Sequence, residues 1–142
     1  MSMSDRIEIL ATPLSVDDVN AFVSDPNAGG VCIYSGNTRA ESKNGRELVA
    51  LEYEAYPEMA TRQLAEIASE ARSRWPVLKL AILHRTGRVA VGEASVVIGV
   101  SCGHRKEAFE ACRFLIDELK RDVTIWKKEV WSGGESTWVE TQ

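Results

Sequence analysis

The chain has 142 residues, of which 44% are hydrophobic and 27% charged, and its formal net charge is -4. That length supports one domain with a core, read over residues 1–142. The acidic balance excludes a nucleic-acid coat, whose affinity comes from many phosphate contacts, so any positive site must be a local patch.

The first ten residues, MSMSDRIEIL, lack a charged start followed by a long apolar run, and no stretch approaches a membrane span. The three cysteines, Cys32, Cys102 and Cys112, show no paired spacing. They suit a reducing, cytoplasmic setting and give no zinc or disulfide signal.

Arg6 to Ala11 reads as a first strand. Ser15 is a helix N-cap with Leu14 able to pack onto Val19, and the helix ends near Ser24, before Asp25-Pro26. Val31 to Arg39 is a strand running into a loop. Asn44-Gly45 is a turn signal, and Glu47 to Tyr56 is the next strand. Alternation places Val49, Leu51, Tyr53 and Ala55 on one face and Glu52 and Glu54 on the other. These two strands are expected to form a hairpin with residues 39–46 as its tip.

Pro57 suits the first turn of a helix. Ala60, Leu64, Ile67, Ala68, Ala71 and Trp75 recur at helical spacing, and Pro76 ends it. Leu78 to Arg85 is a strand, Thr86-Gly87 turns it, and Val89 to Val91 is a short strand interrupted by Gly92. Ala94 to Cys102 is a β-branched run that reads as buried on both faces. Gly103 leads into a helix whose expected core face is Phe109, Cys112, Ile116 and Leu119. A strand containing Lys127 follows, and Thr137 to Glu140 closes the chain. Strands fall in hairpin groups, which predicts an α+β fold with a mixed or antiparallel sheet and about three helices.

The chemistry concentrates between His104 and Trp131. His104 and Arg105 begin a helix, where free N–H groups and the dipole favour an anion. The spacing does not choose between an anion site and a solvated capping pair. Lys120 falls in the last turn of that helix, where a lysine is common for its dipole alone. Lys127 is unusual, because it sits in an apolar strand and shares a face by parity with Ile125 and Trp131. A lysine with restricted solvent and cationic neighbours loses proton affinity and can exchange protons near neutrality. Arg39 ends a strand, and His84-Arg85 reads as structural. Trp126, Trp131 and Trp138 read as core or interface packing. Cys102 before a helix start is a nucleophile candidate. The basic loop of a phosphatase or rhodanese would need arginine where this chain has Ala108, so a buried strand-end thiol is the simpler reading.

Four stretches carry a family resemblance: SGNTR with the following NGR, LEYEAYPEMA, HRTGRVAVGEASVVIGVSCGHRKEAF and IDELKRDVTIWKKE. In this order they resemble the large, catalytic subunit of molybdopterin synthase, from Val31 to Trp138. The resemblance implies an α/β-hammerhead-like fold and a homodimer that binds a small ubiquitin-like subunit at each end, giving a heterotetramer. It implies transfer of sulfur from that subunit's Gly-Gly thiocarboxylate to cyclic pyranopterin monophosphate, forming the dithiolene of molybdopterin. Lys120 and Lys127 map onto catalytic lysines, and Arg39, His104 and Arg105 onto the substrate and anion pocket. Arg39, Arg105 and Lys120 are therefore expected around Lys127, with Lys128 pointing elsewhere. The resemblance implies no cofactor and no metal, and neither nucleic acid nor membrane as partner. Thr124 stands where the family often has proline and Tyr34 where it usually has phenylalanine, which bears on pocket shape. Two other readings stand beside the sulfurtransferase: a non-catalytic scaffold for a ubiquitin-like partner and a phosphorylated ligand, and a persulfide carrier on Cys102.

Overall fold

The computed structural model describes residues 5–139. Three helices, α1 (Val16–Val23), α2 (Pro57–Arg74) and α3 (Arg105–Asp122), are interleaved with nine strands. The strands are β1 (Asp5–Leu10), β2 (Gly30–Asn37), β3 (Ser42–Lys43), β4 (Arg46–Glu54), β5 (Val77–Arg85), β6 (Gly87–Ala90), β7 (Ala94–Cys102), β8 (Trp126–Trp131) and β9 (Ser136–Val139). The last expected strand includes Glu140, which lies outside the described residues.

One sheet has the order β1-β5-β7-β2, with β1 parallel to β5 and the other pairs antiparallel. The second has the order β3-β4-β8-β9, with β6 on the free edge of β4. The α+β class and the three helices are as the sequence predicts.

The first sheet is covered on both faces, which is why β7 is buried along nearly its whole length. Leu80 and Ile82 of β5 join Ile98 and Val100 of β7 in the larger core, with Leu64 and Ala68 of α2 and Leu115 and Leu119 of α3. The alternate residues Ala81, Leu83 and Val97 face α1, packing on Val19 and Val23. Ser15 caps α1 by accepting from the Asp18 N–H at 3.1 Å. By the same alternation His84 falls on the side of the larger core and Arg85 on the side of α1.

Three expectations are corrected. First, β2 and β4 do not form a hairpin: β2 pairs with β7, and β4 with β8 and β6. Thr38 is buried and held to the β6–β7 turn, its N–H donating to the Glu93 carbonyl at 2.9 Å and its Oγ1 to the Val89 carbonyl at 3.3 Å. That anchor turns the chain from one sheet to the other. The Asn44-Gly45 turn is real, with φ of 53° and 77°, but it joins β3 to β4. Second, Val49 is exposed, because the β4–β8 register shifts between Leu48 and Ala50. The bulge puts Leu48 on the inner side with Leu51. Third, Phe109 is 64% exposed, and the buried stripe of α3 runs through Ala108, Ala111, Cys112, Leu115, Ile116 and Leu119. The true stripe is centred about one helical position away from Phe109, which borders it.

Gly30 sets where α3 begins. A Cβ there would come within 2.8 Å of the Arg105 backbone, so only glycine lets β2 pass this close. The neighbouring Gly29 N–H donates to the carbonyls of Cys102 and Gly103, both at 3.1 Å.

Candidate active site

Between the sheets lies a cavity of about 490 Å³ lined by Tyr34, Asn37, Arg39, Glu41, Leu48, Leu51, Lys120, Lys127 and Glu129. Strand pairing explains its floor. Lys127 stands opposite Tyr53 and Glu129 opposite Leu51 across the β4–β8 ladder, so these four side chains share one face. Lys128 stands opposite Glu52 on the other face, with its Nζ 3.4 Å from that carboxylate and 5.2 Å from the Trp138 ring centre. The last turn of α3 supplies Lys120, and the segment after the anchored Thr38 supplies Arg39. Three basic residues predicted from sequence therefore meet in one cavity.

Burial holds the Lys127 ammonium below its usual proton affinity; Lys120 adds to this, while Glu129 and Glu41 oppose it. His84 lies behind this wall, almost fully buried. Burial drives its pKa down to about 4, against the upward pull of its own backbone hydrogen bond; Lys120 and Lys127 lower it further. Tyr53 touches it edge-on, ring centres 5.2 Å apart.

The other end of α3 is a different place. His104 is the N-cap residue, exposed and making no side-chain cap. Arg105 lines a separate cavity of about 240 Å³ with Gly29, Gly30, Val31, Cys32, Ala108 and Phe109. Fifteen residues of helix at about 1.5 Å each separate Arg105 from Lys120 by roughly 22 Å. Within one chain Arg105 is not a neighbour of Lys127, because a rigid helix holds the two ends apart. Between them runs a mostly apolar groove of about 580 Å³ along β2 and α3, lined by Cys32, Ile33, Tyr34, Phe109, Cys112 and Ile116 and ending at Lys120.

Sequence reading missed Glu41, Glu129 and Leu48 as lining residues. Glu129 was accessible by parity with Lys127; Glu41 and Leu48 depend on the sheet change and the bulge. Of the two departures, Tyr34 lines the cavity. Thr124 instead docks on α2: its N–H donates to Gln63 Oε1 at 2.8 Å, and its Oγ1 accepts from Gln63 Nε2 at 3.1 Å. Trp131 is core, whereas Trp126 and Trp138 are exposed. Cys102 is fully buried, and burial pushes its thiol pKa up, against any role as a ready thiolate. Among the described residues no group of three or more His, Cys, Asp or Glu side chains is placed to hold a metal ion. No helix among the described residues is long and apolar enough to cross a membrane. A further cavity of about 310 Å³ lies on the α1 side near Arg85 and Glu93, which pair at 3.3 Å.

Comparison with known proteins gives a consistent picture. The family described as MoaE protein matches residues 9–122. The molybdopterin synthase catalytic subunit of Nostoc is 44% identical over 96% of this chain and 83% of the relative. That of Arabidopsis thaliana is 50% identical over 91% of this chain and 66% of the relative. The crystal structure of molybdopterin synthase from Staphylococcus aureus superposes with a TM-score of 0.86 at 37% identity, covering 93% of this chain and 95% of that one. The chain belongs to the MoaE family of molybdopterin synthase catalytic subunits.

Proposed function

We propose that the cavity around Lys127 is where this enzyme moves sulfur from the Gly-Gly thiocarboxylate of a small ubiquitin-like subunit to cyclic pyranopterin monophosphate. Its volume suits a ligand of that size. Arg39 supplies a planar guanidinium for phosphate oxygens. The partner brings the sulfur, so the buried Cys102 has no part to play. The thiocarboxylate sulfur attacks an oxygen-bearing substrate carbon; as the C–S bond forms, the C–O bond breaks and the oxygen leaves with a proton, so that substrate and partner are joined through a thioester at the partner's carbonyl. Water then cleaves the acyl–sulfur bond, leaving sulfur on the substrate and a carboxylate on the partner. A second partner molecule repeats the sequence. Lys127 carries the protons, since a lysine with weakened proton affinity can both take and return one. Lys120, charged, stabilises the oxyanion that develops at the acyl carbon.

The observation that carries this reading is the meeting of Lys120, Lys127 and Arg39 in one cavity, with Lys127 half-buried and its proton affinity lowered. The test is reconstitution with thiocarboxylated partner and cyclic precursor. Molybdopterin should form with the intact chain and not with Lys127→Ala. Product formation by Lys127→Ala at the normal rate would remove Lys127 from the proton transfer and overturn this assignment.

His104 and Arg105 join the site through the homodimer. A two-fold interface is isologous, so the groove along β2 and α3, packed antiparallel on its own copy, brings each helix start to the other copy's Lys120 end. The exposed Phe109 and Val31 lie on that face. The partner copy then supplies the anion-binding helix start that the lysine cavity lacks. The three free cysteines suit a cytoplasmic setting.

A further inference from the structure

We propose that Gln63 of α2 is a positioning residue for the lysine pair: its amide clamps the short connection between α3 and β8, and so fixes where Lys127 stands relative to Lys120. The inference rests on the reading of the lysine cavity given above.

The two lysines belong to different elements. Lys120 is in the last turn of α3, which ends at Asp122, and Lys127 follows Trp126 at the start of β8. Only residues 123–125 join the two. Such a link has no ladder of its own, so the partners of its backbone groups decide its path. The Val123 N–H turns back to the Leu119 carbonyl at 3.1 Å and closes the helix. The Thr124 N–H leaves both elements and donates to Gln63 Oε1 at 2.8 Å, while Gln63 Nε2 donates to Thr124 Oγ1 at 3.1 Å. Both ends of one planar amide go to Thr124, one to its main chain and one to its side chain. That fixes orientation as well as distance.

A second contact from α2 grips the same stretch. Tyr56, the N-cap residue of α2, lies about two turns before Gln63 and hence on the same side of the helix. Its ring meets the Trp126 ring edge-on, with centres 5.7 Å apart and planes at 90°. Thr124 and Trp126 are thus held from outside, while Ile125 is buried in the core and Lys127 lines the cavity. The grip itself is anchored, because Ala60, Leu64, Ile67 and Ala68 pack α2 into the same core as Ile125. Trp126 needs only a ring to lean on. Thr124 needs an acceptor and a donor at one place, and Gln63 supplies both.

The test reads the lysine and the reaction separately. Isotope-labelled lysine side chains of the full-length wild type and of Gln63→Ala are titrated by NMR, with Lys127→Arg to assign the signal. Burial and Lys120 hold the Lys127 proton affinity down. A freed connection lets Lys127 drift towards water and away from Lys120, so in Gln63→Ala it should titrate about half a pH unit higher. With thiocarboxylated partner in excess, kcat of Gln63→Ala should fall about tenfold, with KM for the cyclic precursor little changed, because misplacement acts on the reacting groups. Gln63→Glu, whose carboxylate accepts from both the Thr124 N–H and its hydroxyl, should recover most of that kcat. Ser15→Ala, which removes the α1 cap on the far side of the first sheet, should lower stability without either effect. Wild-type kcat and Lys127 titration in folded Gln63→Ala would overturn the proposal, as would a Gln63→Glu enzyme as slow as Gln63→Ala. Should Gln63→Ala not fold, Thr124→Val drops only the 3.1 Å bond, and its Lys127 should shift the same way by less; an unshifted Lys127 there would also overturn it. Wild-type turnover with thiocarboxylated partner tests the functional reading by itself, so the two failures are distinguishable.

Discussion

The two ends of α3 look alike in the sequence and differ in the structure. Each carries basic residues beside an apolar stretch. At the C-terminal end, Lys120 meets Lys127 from β8, Arg39 from the β2–β3 connection and the carboxylates Glu41 and Glu129, and the group is partly withdrawn from water. At the N-terminal end, His104 is exposed and Arg105 borders a smaller cavity beside Gly29 and Gly30. One end is a site built by several elements of one chain. The other offers donors and no floor. The difference shows that closeness along a helix does not make a common pocket; what counts is which other elements reach that turn.

The largest expected effect separates the two ends most sharply. Lys127→Ala and Lys127→Arg should each lose between about a hundredfold and ten-thousandfold in kcat with thiocarboxylated partner in excess, since an arginine stays charged and moves no proton. Near-normal turnover by Lys127→Arg would reduce the lysine to a fixed charge and make the two ends chemically equivalent.

Acid unfolding should come next. The unfolded chain binds the His84 proton below about pH 6.5, and the fold refuses it until about pH 4. Stability therefore falls as the pH drops through that window, by up to about 3 kcal/mol from this group alone. His84→Leu should flatten the denaturant midpoint between those pH values relative to wild type. An unchanged slope would mean that the lysine end is not the withdrawn environment described.

A smaller effect is expected at the helix start. Arg105→Ala should raise KM for the cyclic precursor about tenfold, with kcat and small-subunit binding little changed, because a ground-state phosphate contact acts on binding. Equal loss of substrate and partner affinity would mark Arg105 as an interface residue. The smallest effects belong to Lys128→Ala and Cys102→Ala. Lys128 faces away from the cavity onto Glu52, in a partly exposed pair worth little, and Cys102 loses only a small buried group. A dead Lys128→Ala enzyme would put the β8 register off by one, and a folded but inactive Cys102→Ala would revive the persulfide carrier.

Much of this arrangement was legible in the sequence, for physical reasons. Strand parity alone turned Lys127 inward and Lys128 outward, because β8 is regular across those residues. Helical spacing found α2 and its capping prolines. Parity failed at Val49, where a bulge that no local signal marks shifts the ladder. The Asn44-Gly45 turn was visible, but a turn says nothing about which strand it serves, and Thr38's long-range bonds decided that. Phe109 was placed in the core because an apolar residue at the margin of a helical stripe fits either side. His84 was read as structure, and its burial against Tyr53 agrees with that reading.

The central claim is that the lysine end of one chain is completed by the helix start of a second copy. The direct measurement is complementation in mixed dimers of Lys127→Ala and Arg105→Ala chains, unfolded together and reassembled, then assayed for molybdopterin with excess partner and with cyclic precursor far below KM, where the Arg105→Ala parent is about tenfold impaired. If the site is shared, each mixed dimer holds one doubly defective and one intact site, and random pairing should restore about a quarter of wild-type turnover from parents that are far weaker alone. If each chain serves only itself, every site in the mixture keeps one defect, turnover stays at the average of the parents, and the shared site is contradicted.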